Sequence, residues 1–252
     1  MASSAWSFQT GRATLLILLM ILAAVSHART ITLATVHYPP YSIIGEDGTI
    51  SGMDVDVIRT VFQQADIDVS FSHIPWQRAL KSTQRGRIDG LFSCIYSKER
   101  AEYLLFSKPI SHITHGALAR TDTQLPSLKT RADLKPYGVA VVNGWTSHKE
   151  LADAGFRVVP SDTMELALNT VLYRGVTAFY GGLEAALYEA KQMLVDNRLS
   201  RYSLSDKPRR PLYLCLSKNR SDNETLLETF NQGLEKLKRS GEFTTIQQRY
   251  GQ

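Results

Sequence analysis

The segment PWQRALKSTQRGRIDGLFSCIYSKER, Pro75 to Arg100, decides how this chain folds. It opens on an extended Pro-Trp pair, because the proline ring fixes φ and holds the residue before it out of the helical region. A helical decade carrying Arg78 follows, and Gly86 turns the chain into a short apolar strand, Ile88 to Phe92. That strand ends in the small polar pair Ser93 and Cys94, and a second helix, SKERAEYL, begins at once with Arg100 in its first turns. Strand, polar turn and helix form the repeating unit of an open α/β sheet, where ligands sit beyond the carboxyl ends of the strands. A guanidinium at that place can grip a carboxylate through two parallel hydrogen bonds. The segment therefore predicts a small-molecule site with Arg100 as its anion anchor.

The same grammar extends in both directions. Ile31 to Val36 reads as the first strand, broken by His37-Tyr38-Pro39-Pro40-Tyr41, where two tyrosines are left at a strand end. Gly52-Met53-Asp54 leads into a helix whose buried stripe is Val57, Ile58, Val61, Phe62 and Ala65. Asp54 is expected to cap that helix and Asp56 to favour its dipole, neither being chemical. Asp68 to Ile74 is the second strand, and Ile113 to Arg120 a strand leading out of the first unit. A second series follows: Tyr137 to Val142, a Gly144-Trp145-Thr146 turn and a helix, then a helix capped by Ser161 and Asp162. Val176 to Tyr180 ends in Gly181-Gly182 before another helix, and Leu212 to Leu216 returns to the first unit. Alternating strands and helices imply parallel-rich sheets covered by helices. The expected organisation is two α/β lobes, residues 29–115 with 213–252 and residues 116–212, joined by hinge strands near 113–120 and 211–217.

Composition agrees with a folded binding protein. The 252 residues are 43% hydrophobic and 21% charged, enough for two lobes of about 100 residues each. Arg12, the apolar run Ala13 to Val25 and the small residues Ser26 and Ala28 read as a signal peptide cleaved after residue 28. Removing it lowers the formal charge from +5 to +4, and the chain is expected in the periplasm. Basic residues cluster only at Lys207-Pro208-Arg209-Arg210, which reads as a solvated loop and not a nucleic-acid patch. Cys94 and Cys215 could pair in an exported chain or stay free in a sufficient core. The histidines show no metal-ligand spacing, and no nucleophile–base pair stands out. No cofactor or catalytic residue is expected.

Five stretches together carry a resemblance: Tyr38-Pro39-Pro40-Tyr41, Gly52 to Asp56, Pro75-Trp76, Gly86 to Gly90 running to Ser97–Arg100, and the tail Leu234 to Gly251. In that order and spacing the chain resembles the extracellular solute-binding proteins of family 3, the polar-amino-acid type that serves ABC importers. The resemblance implies a two-lobed periplasmic binding protein fold of type II, closing on a ligand by hinge motion. It also implies a monomeric receptor for a carboxylate-bearing solute, with an ABC permease in the inner membrane as its partner. Arg100 would hold the ligand carboxylate, Tyr38 and Trp76 would line the pocket, and Ser93 and Thr146 would contact carboxylate or amine.

Two positions depart from the family pattern. A hydroxyl residue common there is Ile95 here, and the aspartate that meets a ligand ammonium aligns with Gly182. Either Glu184 supplies that carboxylate or the ligand has no α-ammonium, since an unpaired buried charge costs several kcal/mol. Trp145, an aromatic in a glycine turn, joins the cleft-lining set, and Arg78 is a candidate second anion contact. A dehydratase on the same scaffold, with Glu184 as general acid, is the enzymatic alternative. A ligand-sensing module is the third.

Overall fold

The computed structural model describes residues 30–250; the signal-peptide reading of residues 1–28 lies outside them. The first sheet gathers β1 (Thr30–Thr35), β4 (Asp68–His73), β5 (Gly90–Cys94) and β6 (Leu104–Phe106), while β2 (Ile43–Ile44) and β3 (Ile50–Ser51) form a separate hairpin. After β7 (Ser111–Ile113) the chain crosses into a second sheet made of β8 (His115–Arg120), β9 (Gly138–Val142), β10 (Arg157–Ser161), β11 (Ala178–Gly182) and β12 (Leu199–Ser203). It returns through β13 (Arg210–Ser217). The strand orders are β4-β1-β5-β13-β6, with β7 also on β13, and β10-β9-β11-β8-β12. Each sheet has a parallel core, β4-β1-β5 and β10-β9-β11, completed by antiparallel strands that make the crossings. This is the expected two-lobed α/β architecture.

Helices cover the sheets because their apolar stripes demand it. In the first lobe α1 (Met53–Gln63) lays Val57, Ile58, Val61 and Phe62 against the long α7 (Asn223–Arg239), whose stripe is Leu226, Phe230, Leu234 and Leu237. The Phe62 and Phe230 rings meet at 5.2 Å, and each buried ring contributes roughly 2–3 kcal/mol. Asp89 of the Gly86–Gly90 run ties the lobe together: it accepts from Thr32 N at 2.8 Å and pairs with Arg220 Nε at 2.9 Å. Gly86 has φ +65°, the left-handed turn that delivers the chain into β5.

Four local expectations change. The helix after β5 is one turn, α3 (Lys98–Ala101), because Leu104–Phe106 pairs with β13 instead of continuing it. The run 113–120 is broken at Thr114, whose N–H leaves the ladder and donates to both carboxylate oxygens of Glu184 at 3.0 and 3.2 Å. Thr163, not Ser161 or Asp162, caps α5 (Met164–Tyr173) by accepting from Leu166 N, since β10 extends through Ser161. Finally, the basic cluster is not simply solvated: Glu150, on the helix α4 (Thr146–Asp153), pairs with both Lys207 and Arg210. Cys94 and Cys215 are buried and free.

Candidate ligand-binding site

Each functional side chain is aimed by a local rule. Tyr38 closes a tight turn, with its N–H donating to Ser42 O at 2.8 Å and the Ser42 N–H donating back at 3.0 Å, so its ring cannot follow β1 and turns inward. Tyr41 lies fully buried beneath it and donates its hydroxyl to His112 O at 2.7 Å. Trp76 opens α2 (Trp76–Gln84) directly after Pro75, whose fixed φ of −52° serves as the helix N-cap. Ser93, the penultimate residue of β5, has φ +53°, a left-handed conformation that costs a β-carbon-bearing residue about 1 kcal/mol or more. Ser97, immediately before α3, caps it: its hydroxyl accepts the Arg100 N–H at 3.2 Å.

These elements meet elements of the second lobe around one chamber of about 430 Å³ of space, counting its open mouth. Arg100, Tyr38, Trp76, Ser93, Trp145 and Thr146 all line it, joined by Val36, Phe92, Ile95, His115 and Ser147. Arg100 is only 8% exposed. Its Nη1 donates to Ile95 O at 2.9 Å, its guanidinium lies 5.5 Å from the Trp76 ring centre, and among the described residues no carboxylate pairs with it. From the opposite wall α4 presents its first residues, Thr146 and Ser147, and the preceding Trp145 makes no side-chain cap. The N–H groups of an uncapped helix start carry partial positive charge.

The lobes touch across the chamber. The Tyr38 and Trp145 rings pack edge to face at 4.8 Å, and Gln77 Nε2 donates to Gly144 O at 3.1 Å. His37 Nε2 stands 3.6 Å from Glu189.

Two predicted site residues lie elsewhere. Arg78 is on the exposed face of α2 and reaches none of the chamber's lining. Glu184 sits in the first turn of α6 (Leu183–Gln192), where both oxygens are committed to the Thr114 N–H at the crossing between sheets. At Gly182 a β-carbon would run into Ile113 Cδ1 and stand 2.5 Å from the Tyr38 hydroxyl, so the site has no room for a side chain there.

Two groups escaped sequence reasoning. Asp54 is no helix cap; Gly52 takes that place and Asp54 is fully buried, accepting the Ser93 hydroxyl at 2.7 Å. Burial pushes its carboxyl up to about 7, against the pull of Ser93 and Ser111. His115, 2% exposed with Nδ1 unpartnered, lines the chamber beside Tyr180. Burial, helped by Arg210, lowers its imidazole to about 4, so it stays neutral. In the sequence it stands out only as one of several histidines without metal-ligand spacing, and which face of a strand is buried is not written there.

The family model for bacterial extracellular solute-binding proteins, family 3, matches residues 31–252. The arginine-binding periplasmic protein of Mannheimia haemolytica is 24% identical over 92% of this chain and 95% of its own. A solved histidine kinase sensor domain with similarity to periplasmic binding proteins superposes with a TM-score of 0.80 at 22% identity, covering 88% of this chain and 96% of that one. The ancestral amino acid-binding protein AncCDT-1, a precursor of cyclohexadienyl dehydratase, superposes with a TM-score of 0.76 at 21% identity, over 92% of this chain and all of its own.

Proposed function

The chain belongs to the bacterial extracellular solute-binding proteins, family 3, and from that premise we propose that it is a non-catalytic periplasmic receptor. It captures a small carboxylate-bearing solute between lobes 29–115 with 213–252 and 116–212, closes on it as a monomer, and delivers it to the permease of an ABC importer. The relative from M. haemolytica, an arginine-binding periplasmic protein, supports that class of work. One observation carries the reading: a buried guanidinium, without a carboxylate partner among the described residues, lines a chamber shared by elements of both sheets. Leaving such a charge unpaired costs several kcal/mol, and a bound carboxylate offsets that cost.

In this reading Arg100 binds the carboxylate, the Thr146–Ser147 helix start completes its hydrogen bonds, and Tyr38, Trp76 and Trp145 enclose the body of the solute. Ser93, held by Asp54, offers its oxygen to the chamber. The dehydratase reading loses its acid, because Glu184 is occupied at the sheet crossing. A sensing role rests on likeness of fold alone.

Thermal-shift titration of amino and organic acids tests the proposal. A true ligand at 100 times its dissociation constant adds about 2.7 kcal/mol of stability. Arg100→Ala should unfold cooperatively yet lose the response. A panel in which no acid moves the melting temperature overturns the reading.

A further inference from the structure

We infer that the solute is an acid without an α-ammonium group, carrying a flat apolar body: an aryl or arylalkyl carboxylate. This rests on the chamber being the solute site, as proposed above. Arg100 carries the only formal charge among the residues that line the chamber. The opposite wall adds the uncapped start of α4, which also favours negative charge. Both walls thus attract an anion, and neither lines the chamber with a carboxylate.

The carboxylates and ring faces nearest the chamber are engaged or walled off: Ser93 and Thr146 offer only neutral oxygens, and Glu99, Glu102, Glu150 and Asp153 line the adjoining cleft, not the chamber itself. Asp54 is completely enclosed behind Ser93, which holds one of its oxygens. Glu184 holds Thr114. The Ile95 carbonyl already accepts from Arg100, and the Trp76 ring, where a cation could otherwise rest, already lies beside the same guanidinium. At residue 182 the Tyr38 hydroxyl and Ile113 fill the place where a side chain would enter. His115 is neutral and can donate or accept but cannot balance a charge.

The rest of the lining fits a planar apolar body. Tyr38, Trp76, Phe92 and Trp145 surround the chamber, with Val36 and Ile95 between them. Aromatic surfaces favour offset or edge contacts with a ring, and a chamber lined mainly by apolar groups with few polar ones sets orientation through those few. A carboxylate at Arg100 would leave the ring of an arylalkyl acid among these walls.

Matched pairs of acids decide the matter on the unaltered protein, stripped of any carried solute by unfolding and refolding. 3-Phenylpropionate and L-phenylalanine differ only in the α-ammonium, as do 5-guanidinopentanoate and L-arginine. Isothermal titration at pH 7.5 should show each ammonium-free acid binding tighter than its amino acid, with 3-phenylpropionate ahead by about a hundredfold, the scale of one uncompensated charge near a guanidinium at moderate dielectric. L-Phenylalanine or L-arginine binding as tightly as its partner overturns this inference and leaves the receptor reading standing. Silence from all four acids, with benzoate and phenylpyruvate also silent, overturns both.

Discussion

The two walls of the chamber follow opposite rules. The first lobe puts its polar investment into charge and strain: a buried guanidinium, a serine at positive φ, and a carboxyl sealed behind that serine. The opposite wall, built on the second sheet, offers neutral donors only, a helix start, two hydroxyls and a histidine, His115 at the start of β8, that burial keeps uncharged. A solute should therefore engage the first lobe before the second, with closure adding the neutral contacts. Removing Arg100 tests this most severely. Arg100→Leu should cost ligand affinity about 2–5 kcal/mol while making the unliganded protein more stable in urea, because a buried unpaired charge is gone. Loss of both affinity and stability would mean that Arg100 is a structural residue.

Asp54 and His115 sharpen the contrast through pH. The folded Asp54 carboxyl titrates near 7 against 3.8 when unfolded, so its stability contribution is complete below about pH 4 and is lost as pH rises to 7. The folded imidazole of His115 titrates near 4 against 6.5, so its contribution is complete above 6.5 and is lost as pH falls to 4. Upper bounds are about 4 kcal/mol for the first and about 3 kcal/mol for the second. Between pH 4 and 6.5 the two slopes oppose each other, and urea unfolding of the natural protein should be nearly flat there. Asp54→Asn should gain stability at pH 8 and none at pH 4, uncovering the acid-side loss; His115→Gln should uncover the opposite slope. An Asp54→Asn protein no firmer at pH 8 than its parent refutes the assignment of the lobe's sealed carboxyl.

What could be read in the sequence was whatever local chemistry aims. Pro75 before Trp76, the turn at Tyr38 and the strand-to-helix junction before Arg100 are short-range devices, so these residues were visible as cleft candidates. Asp54 is misread for a converse reason: two residues past Gly52 an aspartate looks like a cap, and only the fold shows that Ser93, 39 positions on, donates to it. His115 needed the fold as well, because the break at Thr114 decides which way β8 faces, and that break is made by a residue 70 positions away. Glu184 was the nearest carboxylate in sequence to the position that lacks one. Helical geometry turned it from the chamber toward the crossing.

Glu184 therefore supplies a smaller test. Glu184→Ala should leave ligand affinity unchanged and cost about 1–2 kcal/mol of stability, the scale of a main-chain donor stripped of its acceptor. A tenfold loss of affinity with intact stability would return Glu184 to the binding machinery and reopen the dehydratase reading.

The smallest effect is expected from the other arginine of the opening segment, and it is informative because Arg78 and Arg100 are alike in everything but place. Arg78 stands on the exposed face of α2 with its charge in water, where a guanidinium needs no partner and offers little to one. Arg100 is enclosed, so its unpaired charge is a standing cost that a carboxylate removes. Arg78→Ala should move stability by no more than about 0.5 kcal/mol and leave every titration unchanged. If it instead weakens binding of a carboxylate at low salt but not at high salt, Arg78 contributes by steering anions toward the cleft from a distance, and the charge of the first lobe extends beyond its buried anchor.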